Sequence, residues 1–305
     1  MTAALPGLDL PVEEGARLLA LARVAAVEAA SARLSGAADA EALHDFRVEL
    51  RRLRSLLRAF RPWLRGGPRR RHLRALRRLT GETGASRDAE VQLALLAAER
   101  GRIPPDRRAG LDWLVARLEA AAEAGAGDTG RAVRRWRKLS RRLRRRLSTY
   151  ERRLRPLELE SFGGVLAGLV EGQLEAFLAA LAAVDGPGDV ARAHRARIEA
   201  KRLRYLVEPL RDAPGLGARA AVERLKSVQD VLGELHDAHV LEAAIEAARS
   251  AEERVPALSP VTRVVRARRD RAYGALARAG AGLEALALDL QRLARGIRGR
   301  DDQAP

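Results

Sequence analysis

The sequence predicts an all-α protein, a helical bundle of two pseudo-symmetric repeated halves, and three observations carry that expectation. The apolar residues are mostly Ala, Leu and Val, with only 3% aromatics and few β-branched runs, a composition that favours helix over sheet. Between clusters of Gly and Pro, apolar positions recur at spacings of three and four. One segment also occurs twice: HDFRVELRRLRSLL at 44–57 matches HRARIEAKRLRYLV at 194–207, at an offset of 150.

The elements follow from that punctuation in chain order. A first helix is expected over 12–35. The next, over 39–65, carries the first copy of the repeat and stops at Gly66-Gly67-Pro68. Helices over 68–82 and 86–100 lead to the break from Gly101 to Pro105, and 105–125 leads to Gly125 to Asp128. A very basic helix over 128–155 ends at Pro156, and 158–184 ends at Gly186-Pro187-Gly188. The second repeat copy lies on 189–213, where Pro209 should kink the helix near its C-terminus, before the break from Pro214 to Gly217. Helices over 217–234, 236–250 and 257–295 complete the chain.

The self-match continues downstream. Leu73, Leu76, Arg77, Gly84, Asp88 and Val91 align with Val222, Leu225, Lys226, Gly233, Asp237 and Val240 at an offset of 149. A single domain over 12–295 is therefore expected, made of halves 12–156 and 157–295, with 1–11 and 296–305 as tails. Residues 103–128 read as extra material in the first half.

The formal charge is +17, and because Lys138, Lys201 and Lys226 are the only lysines among 57 basic residues, 54 are arginines. An Ala- and Arg-rich genome would raise the total without saying where the arginines sit. Their planar forks of donors suit phosphate oxygens, which points toward an acidic polymer or surface. The absence of cysteine excludes disulfides and thiolate metal sites. The N-terminal stretch carries Glu13, Glu14, Arg17 and Arg23 through its apolar run and does not read as a signal peptide. No window approaches 18 uncharged apolar residues, so no membrane span is expected and the cytoplasm is the default location.

Both repeat copies share the pattern HxxRxxx[RK]RxR: His44, Arg47, Arg51, Arg52 and Arg54, then His194, Arg197, Lys201, Arg202 and Arg204. On a helix, His44, Arg47, Arg51, Arg54, Arg58 and Arg61 share a stripe about 100° wide, opposite Phe46, Leu50, Leu53, Leu57 and Phe60. Arg52 lies off the stripe. The second copy divides the same way, with Ala196, Ala200, Leu203, Val207 and Leu210 opposite its cations. From His44 to Arg58 the stripe is roughly 21 Å long, a track rather than a pocket. It could be an ordinary solvated face, yet it carries no acid between Arg47 and Arg61 to relieve repulsion. Glu208 occupies the position of Arg58, which predicts a weaker second track.

Further candidate cations are Arg74, Arg77 and Arg78, the run containing Arg134, Arg137, Lys138 and Arg141, and Lys226. In that run Trp136, Leu139, Leu143, Leu147, Tyr150 and Leu154 keep a helical seam.

At these residues the chain resembles the CHAD family, the conserved histidine α-helical domain, over about residues 12 to 295. The resemblance rests on the paired motif helices, each followed by a segment ending in Gly84xxArg87-Asp88 or Gly233xxHis236-Asp237. It implies a compact helical domain of two halves whose basic residues bind inorganic polyphosphate, with association to polyphosphate granules as an extension. Many members occur beside a CYTH-type triphosphate tunnel domain. Here Glu158-Leu159-Glu160 is followed by Ser161 and Phe162 rather than completing an ExExK strand, so the unit is expected to stand alone.

His236, Asp237 and His239 invite a metal reading, but the first copy has Arg87, Asp88 and Glu90 there, and no metal or cofactor is expected. Asp88 and Asp237 read as helix-start residues or as partners that orient stripe arginines. His44 and His194 head their stripes, either as phosphate partners or as hydrogen-bonded structural residues. No nucleophile with its base, no GxxxxGK[ST] loop and no carboxylate cluster is recognisable, so catalytic residues are expected to be absent and the protein is not read as an enzyme. The alternatives are a basic nucleic-acid-binding protein, disfavoured by scarce stacking aromatics, and a helical scaffold docking acidic proteins at granules.

Overall fold

The computed structural model describes residues 7–34, 40–124, 129–149, 160–251 and 255–301. Among them are eleven α-helices and no strand: α1 (Val12–Arg33), α2 (Ala40–Ala59), α3 (Arg70–Glu82), α4 (Ala85–Glu99), α5 (Ala109–Ala124), α6 (Thr129–Ser148), α7 (Phe162–Ala182), α8 (Val190–Val207), α9 (Ala218–Ala251), α10 (Ser259–Ala277) and α11 (Gly280–Asp301). The all-α class holds. Three short 3-10 turns, at Arg100–Arg102, Pro105–Arg107 and Glu208–Leu210, sit between them. Tyr150, Leu154 and the rest of 150–155, read as the end of the sixth helix, lie outside the described residues, as do the side chains of Arg87 and Asp88.

Several boundaries depart from expectation: α2 ends at Ala59 rather than 65 and α8 at Val207 rather than 213. The helices read over 217–234 and 236–250 are one, α9, because Gly233 continues the helix between the buried Leu232 and Leu235. Asp237 therefore lies inside a helix and does not start one. The helix read over 257–295 is two, α10 and α11, separated at Arg278 and Ala279. Pro209 falls in the 3-10 turn that follows α8, where its missing N–H is tolerated at the first turn.

The main core is drawn from α1, α2, α3, α6, α7, α8, α11, the first half of α9 and the end of α10. A smaller core joins α4 and α5 to the second half of α9 and the start of α10. The first helix packs on α2, α6 and α7, and α7 packs on α8 and α11. By length and composition α7 could cross a membrane, which the sequence reading did not anticipate. Its Phe162, Leu166, Val170, Leu174 and Phe177 are instead buried in the main core.

The starts of α1 and α7 are tied by backbone. Val12 donates to the Glu160 carbonyl at 3.0 Å, Phe162 to Leu10 at 2.7 Å and Gly163 to Leu8 at 2.7 Å, around a bridge between Pro11 and Ser161. Ser161 caps α7 by accepting from the Gly164 N–H at 2.9 Å. Gly15 lets the two helices meet, since a Cβ there would lie 2.6 Å from the Phe162 Cβ. Phe60 of the segment after α2 stacks on the same Phe162 ring, at 5.4 Å between centroids.

Candidate functional site

The two motif helices touch one another, and α8 also packs along α9. Each is held in register by its apolar face, with Phe46, Leu50, Leu53, Leu57, Ala196, Ala200, Leu203 and Val207 all buried. Of the stripe cations on the opposite faces, Arg51 of α2 and Lys201 of α8 are near enough to interact, while His44 and Arg58 are exposed.

Arg47 is only 6% exposed, with its guanidinium lying against Gly84, where a Cβ would come within 3.6 Å of Nη2. Arg51 is half-buried, and its Nε is enclosed without a hydrogen-bond partner among the described residues. It lies near enough to Lys201 of α8 to repel it. Lys201 is held down to about 7, first by burial and then by Arg197, Arg51 and Arg204, against the opposing charge of Asp237. Arg54 is also lowered, by burial and then by Arg77 of α3 and by Arg51, with Tyr205 opposing and Arg58 adding to the effect.

Tyr205, which the sequence reading passed over, sits at this junction, with the Arg204 guanidinium 5.5 Å from its ring centroid. His236 was also missed as a site residue. Its ring lies against His194 with centroids 5.1 Å apart and planes at 36°. Burial, then Arg197, His194, Lys201 and His239, lower it to about 3. His194 is lowered too, by burial and by Arg197 and Lys201. The signal for His236 was present in the repeat, as the one residue breaking the match of Arg87-Asp88 with its second copy.

Other candidates are placed differently. Arg52 is held by carboxylates: its Nε and Nη2 each donate to Glu208 at 2.8 Å, and Nη1 donates to Glu49. Burial alone would lower Arg52, but Glu208 and Glu49 outweigh it and raise the guanidinium. Arg202 likewise donates to Glu199 at 2.7 and 2.8 Å. Both off-stripe arginines thus brace the helices. Glu208, expected to weaken the second track, pins Arg52 and stands 3.6 Å from the Arg204 Nε. His44 is exposed at the start of α2. Arg58, Arg74, Arg78 and Lys226 are exposed, as is Arg77, the α3 residue brought to Arg54. Arg134, Arg137, Lys138 and Arg141 stand exposed on α6, which packs on α1 and α3.

His239 is buried, and its Nε2 donates to the Pro187 carbonyl at 2.7 Å, which gives that ring a structural role. Asp237 supplies the charge that opposes the repulsion on Lys201.

The CHAD domain profile matches residues 18–246. The chain belongs to the CHAD domain family. A CHAD domain from the plant Ricinus communis has a similar structure, with a TM-score of 0.66, 23% identity and 94% of each chain covered. PptA from Streptomyces chartreusis gives a TM-score of 0.56 at 21% identity, over 96% of this chain and 98% of that one. At such identities these likenesses establish a shared fold. No curated protein matches the sequence. This CHAD domain is a helical scaffold in which the two motif helices pack on one another.

Proposed function

We propose that this CHAD domain captures inorganic polyphosphate along the surface shared by α2 and α8. One observation carries the reading: Lys201 is enclosed by Arg197, Arg51 and Arg204, with Asp237 as the opposing charge, so the fold concentrates like charges where burial makes them costly. A polyanion supplies the missing counter-charge. Arginine forks bond phosphate oxygens directly, and no base edge has to be read. The exposed cations of α3 and α6 extend the track. Each such contact contributes only about 0–1 kcal/mol, so affinity grows with chain length and falls with salt. Nothing in this capture requires a bond to be broken, and the protein acts as a binder, free or at the surface of polyphosphate granules.

Two corresponding halves, 12–156 and 157–295, are part of the same reading. Glu49 accepts from Arg52 and from Arg23 of α1, while Glu199, 150 positions on, accepts from Arg202 and from Gln173 of α7. Arg23 and Gln173 are themselves 150 positions apart.

The test is competition of labelled long-chain polyphosphate against duplex DNA and short phosphates at near-physiological salt. Long polyphosphate should win. Preference for DNA would instead favour the nucleic-acid reading. A folded variant with Arg47, Arg51 and Arg54 replaced by Glu should lose binding, and unchanged binding would reduce the stripe to a solvated face.

A further inference from the structure

The basic faces of α2 and α6 look out from different sides of one core. Trp136 of α6 packs edge-on against Phe46 of α2, with ring centroids 6.4 Å apart and both rings fully buried. At 100° per residue, Arg51 stands about 140° around α2 from Phe46. On α6, Lys138, Arg141, Arg142 and Arg145 are exposed, and all lie within about 60° of the direction opposite Trp136. Roughly two helix diameters, about 20 Å, therefore separate the outer face of α6 from the α2 stripe. A polyanion lying straight along α2 and α8 does not reach it.

The helix α3 packs on both α2 and α6. It runs antiparallel to α6. At its start, buried His72 is held below its ordinary value by burial and then by Arg71, Arg146, Arg142 and Arg69, which places arginines of both helices around one ring. At its end Glu82 accepts from Arg135, near the start of α6. On the other flank, Arg77 lies close enough to Arg54 of α2 to repel it. Arg71, Arg74 and Arg77 are three residues apart and all exposed, so each step turns about 60° around α3 and advances about 4.5 Å. The row thus crosses α3 from its α6 flank to its α2 flank. Arg74 is its crest, on the side away from buried His72, Leu76 and Leu79.

We infer that Arg71, Arg74 and Arg77 form a bridge over α3 that leads a polyphosphate chain from the α2 stripe to the outer face of α6, so that one long chain wraps the domain. The inference rests on the polyphosphate reading above and adds the route. No acid interrupts α3 between Arg69 and Gly81 or α6 between Arg131 and Thr149, while Glu28 and Glu82 take Arg144 and Arg135. Such a path offers charge alone, since the one aromatic of α6, Trp136, is buried. It also bends within the width of two helices. A flexible polyanion follows that bend, whereas duplex DNA, with a persistence length of about 500 Å, does not. Once a long chain is held on α2 and α8, its free portion is presented to α6 at high effective concentration; a chain too short to cross α3 gains nothing there.

The experiment uses the whole protein and two probes at one salt concentration, a short and a long polyphosphate. Replacing Lys138, Arg141, Arg142 and Arg145 by Gln should weaken long-chain binding roughly tenfold and leave short-chain binding nearly unchanged. Arg74→Glu should weaken the long chain to a similar degree, and adding the four α6 substitutions to it should then cost little more. The control is Arg292→Gln with Arg295→Gln on α11, which removes the same two units of charge at exposed positions on a helix that packs on α7 and α9. Equal losses in Arg74→Glu and the control overturn the bridge, as do α6 losses that are the same for both probes or fully additive with Arg74→Glu; each leaves polyphosphate capture standing. If wild type binds neither probe at near-physiological salt, both readings fall.

Discussion

Arg52 of α2 and Glu208, in the 3-10 turn after α8, form a two-pronged ion pair, each prong 2.8 Å long. The pair ties α2 to the turn after α8, and the same Glu208 stands 3.6 Å from the Nε of the stripe cation Arg204. Glu208 is 15% exposed and Arg52 25%, so the bond is shielded but not dry. Restoring the cation of the first copy at this position, Glu208→Arg, should destabilise the fold by about 2 kcal/mol, since it sets a third positive charge against Arg52 and Arg204. Denaturant unfolding checks this, and a variant as stable as wild type would show that the pair is dispensable.

The converging cations should cost stability and confer affinity. Replacing Lys201 by Met should raise the stability of the anion-free protein by roughly 1–2 kcal/mol, because it removes a repelled, half-buried charge and keeps the side chain's volume. The same change should weaken polyphosphate binding. Thermal melts and binding isotherms on one preparation test both halves, and a loss of stability would contradict the account of a strained cluster.

Position within the surface should matter more than charge alone. Changing Arg51 and Arg54 together to Gln should lower affinity for long polyphosphate by at least about tenfold, whereas the same change at Arg134 and Arg137 should lower it by only about threefold. Titration at constant salt distinguishes the pairs. Equal losses would mean that the ligand reads total charge.

Stability without ligand should rise with pH. Between about 7 and the unfolded value of 10.5, the unfolded chain keeps a proton that folded Lys201 has released, so the folded state gains as pH increases. His236 acts with the same sign between about 3 and 6.5. The slope is at most about 1.4 kcal/mol per pH unit for each site. Melting temperatures at fixed ionic strength should therefore climb from acid to alkaline pH, and in the Lys201→Met variant the climb above neutrality should flatten.

Two glycine substitutions should move in opposite directions. Gly172→Ala on α7 meets open space and should stabilise by about 0.5–1 kcal/mol through the unfolded state. Gly15→Ala on α1 drives a methyl into Phe162 and should cost about 1–3 kcal/mol. Chemical denaturation of both variants checks the close approach of α1 to α7.

Much of this organisation was legible in the sequence because helical periodicity is local. The faces of α2 and α8 divide as the spacing of Arg47, Arg51 and Arg54 against Leu50, Leu53 and Leu57 requires. The errors came from treating glycine as punctuation. Gly233 is carried through α9 by the buried leucines on either side, while the turn at Arg278 and Ala279 was hidden within an alanine-rich run. What could not be read was convergence. That Arg77 reaches Arg54, that His236 lies on His194 and that Glu208 grips Arg52 all depend on contacts between distant segments, for which no single helix carries a signal.

The long helix α9 contributes to both cores, the main one through residues up to Leu235 and the smaller one from Ala238 onward. His236 and Asp237 occupy the two positions between. A helix of 34 residues is a rod roughly 51 Å long. Its two halves are buried in different cores and its midpoint carries His236 against His194, so one rigid element fixes both the spacing of the cores and the seat of the histidine pair.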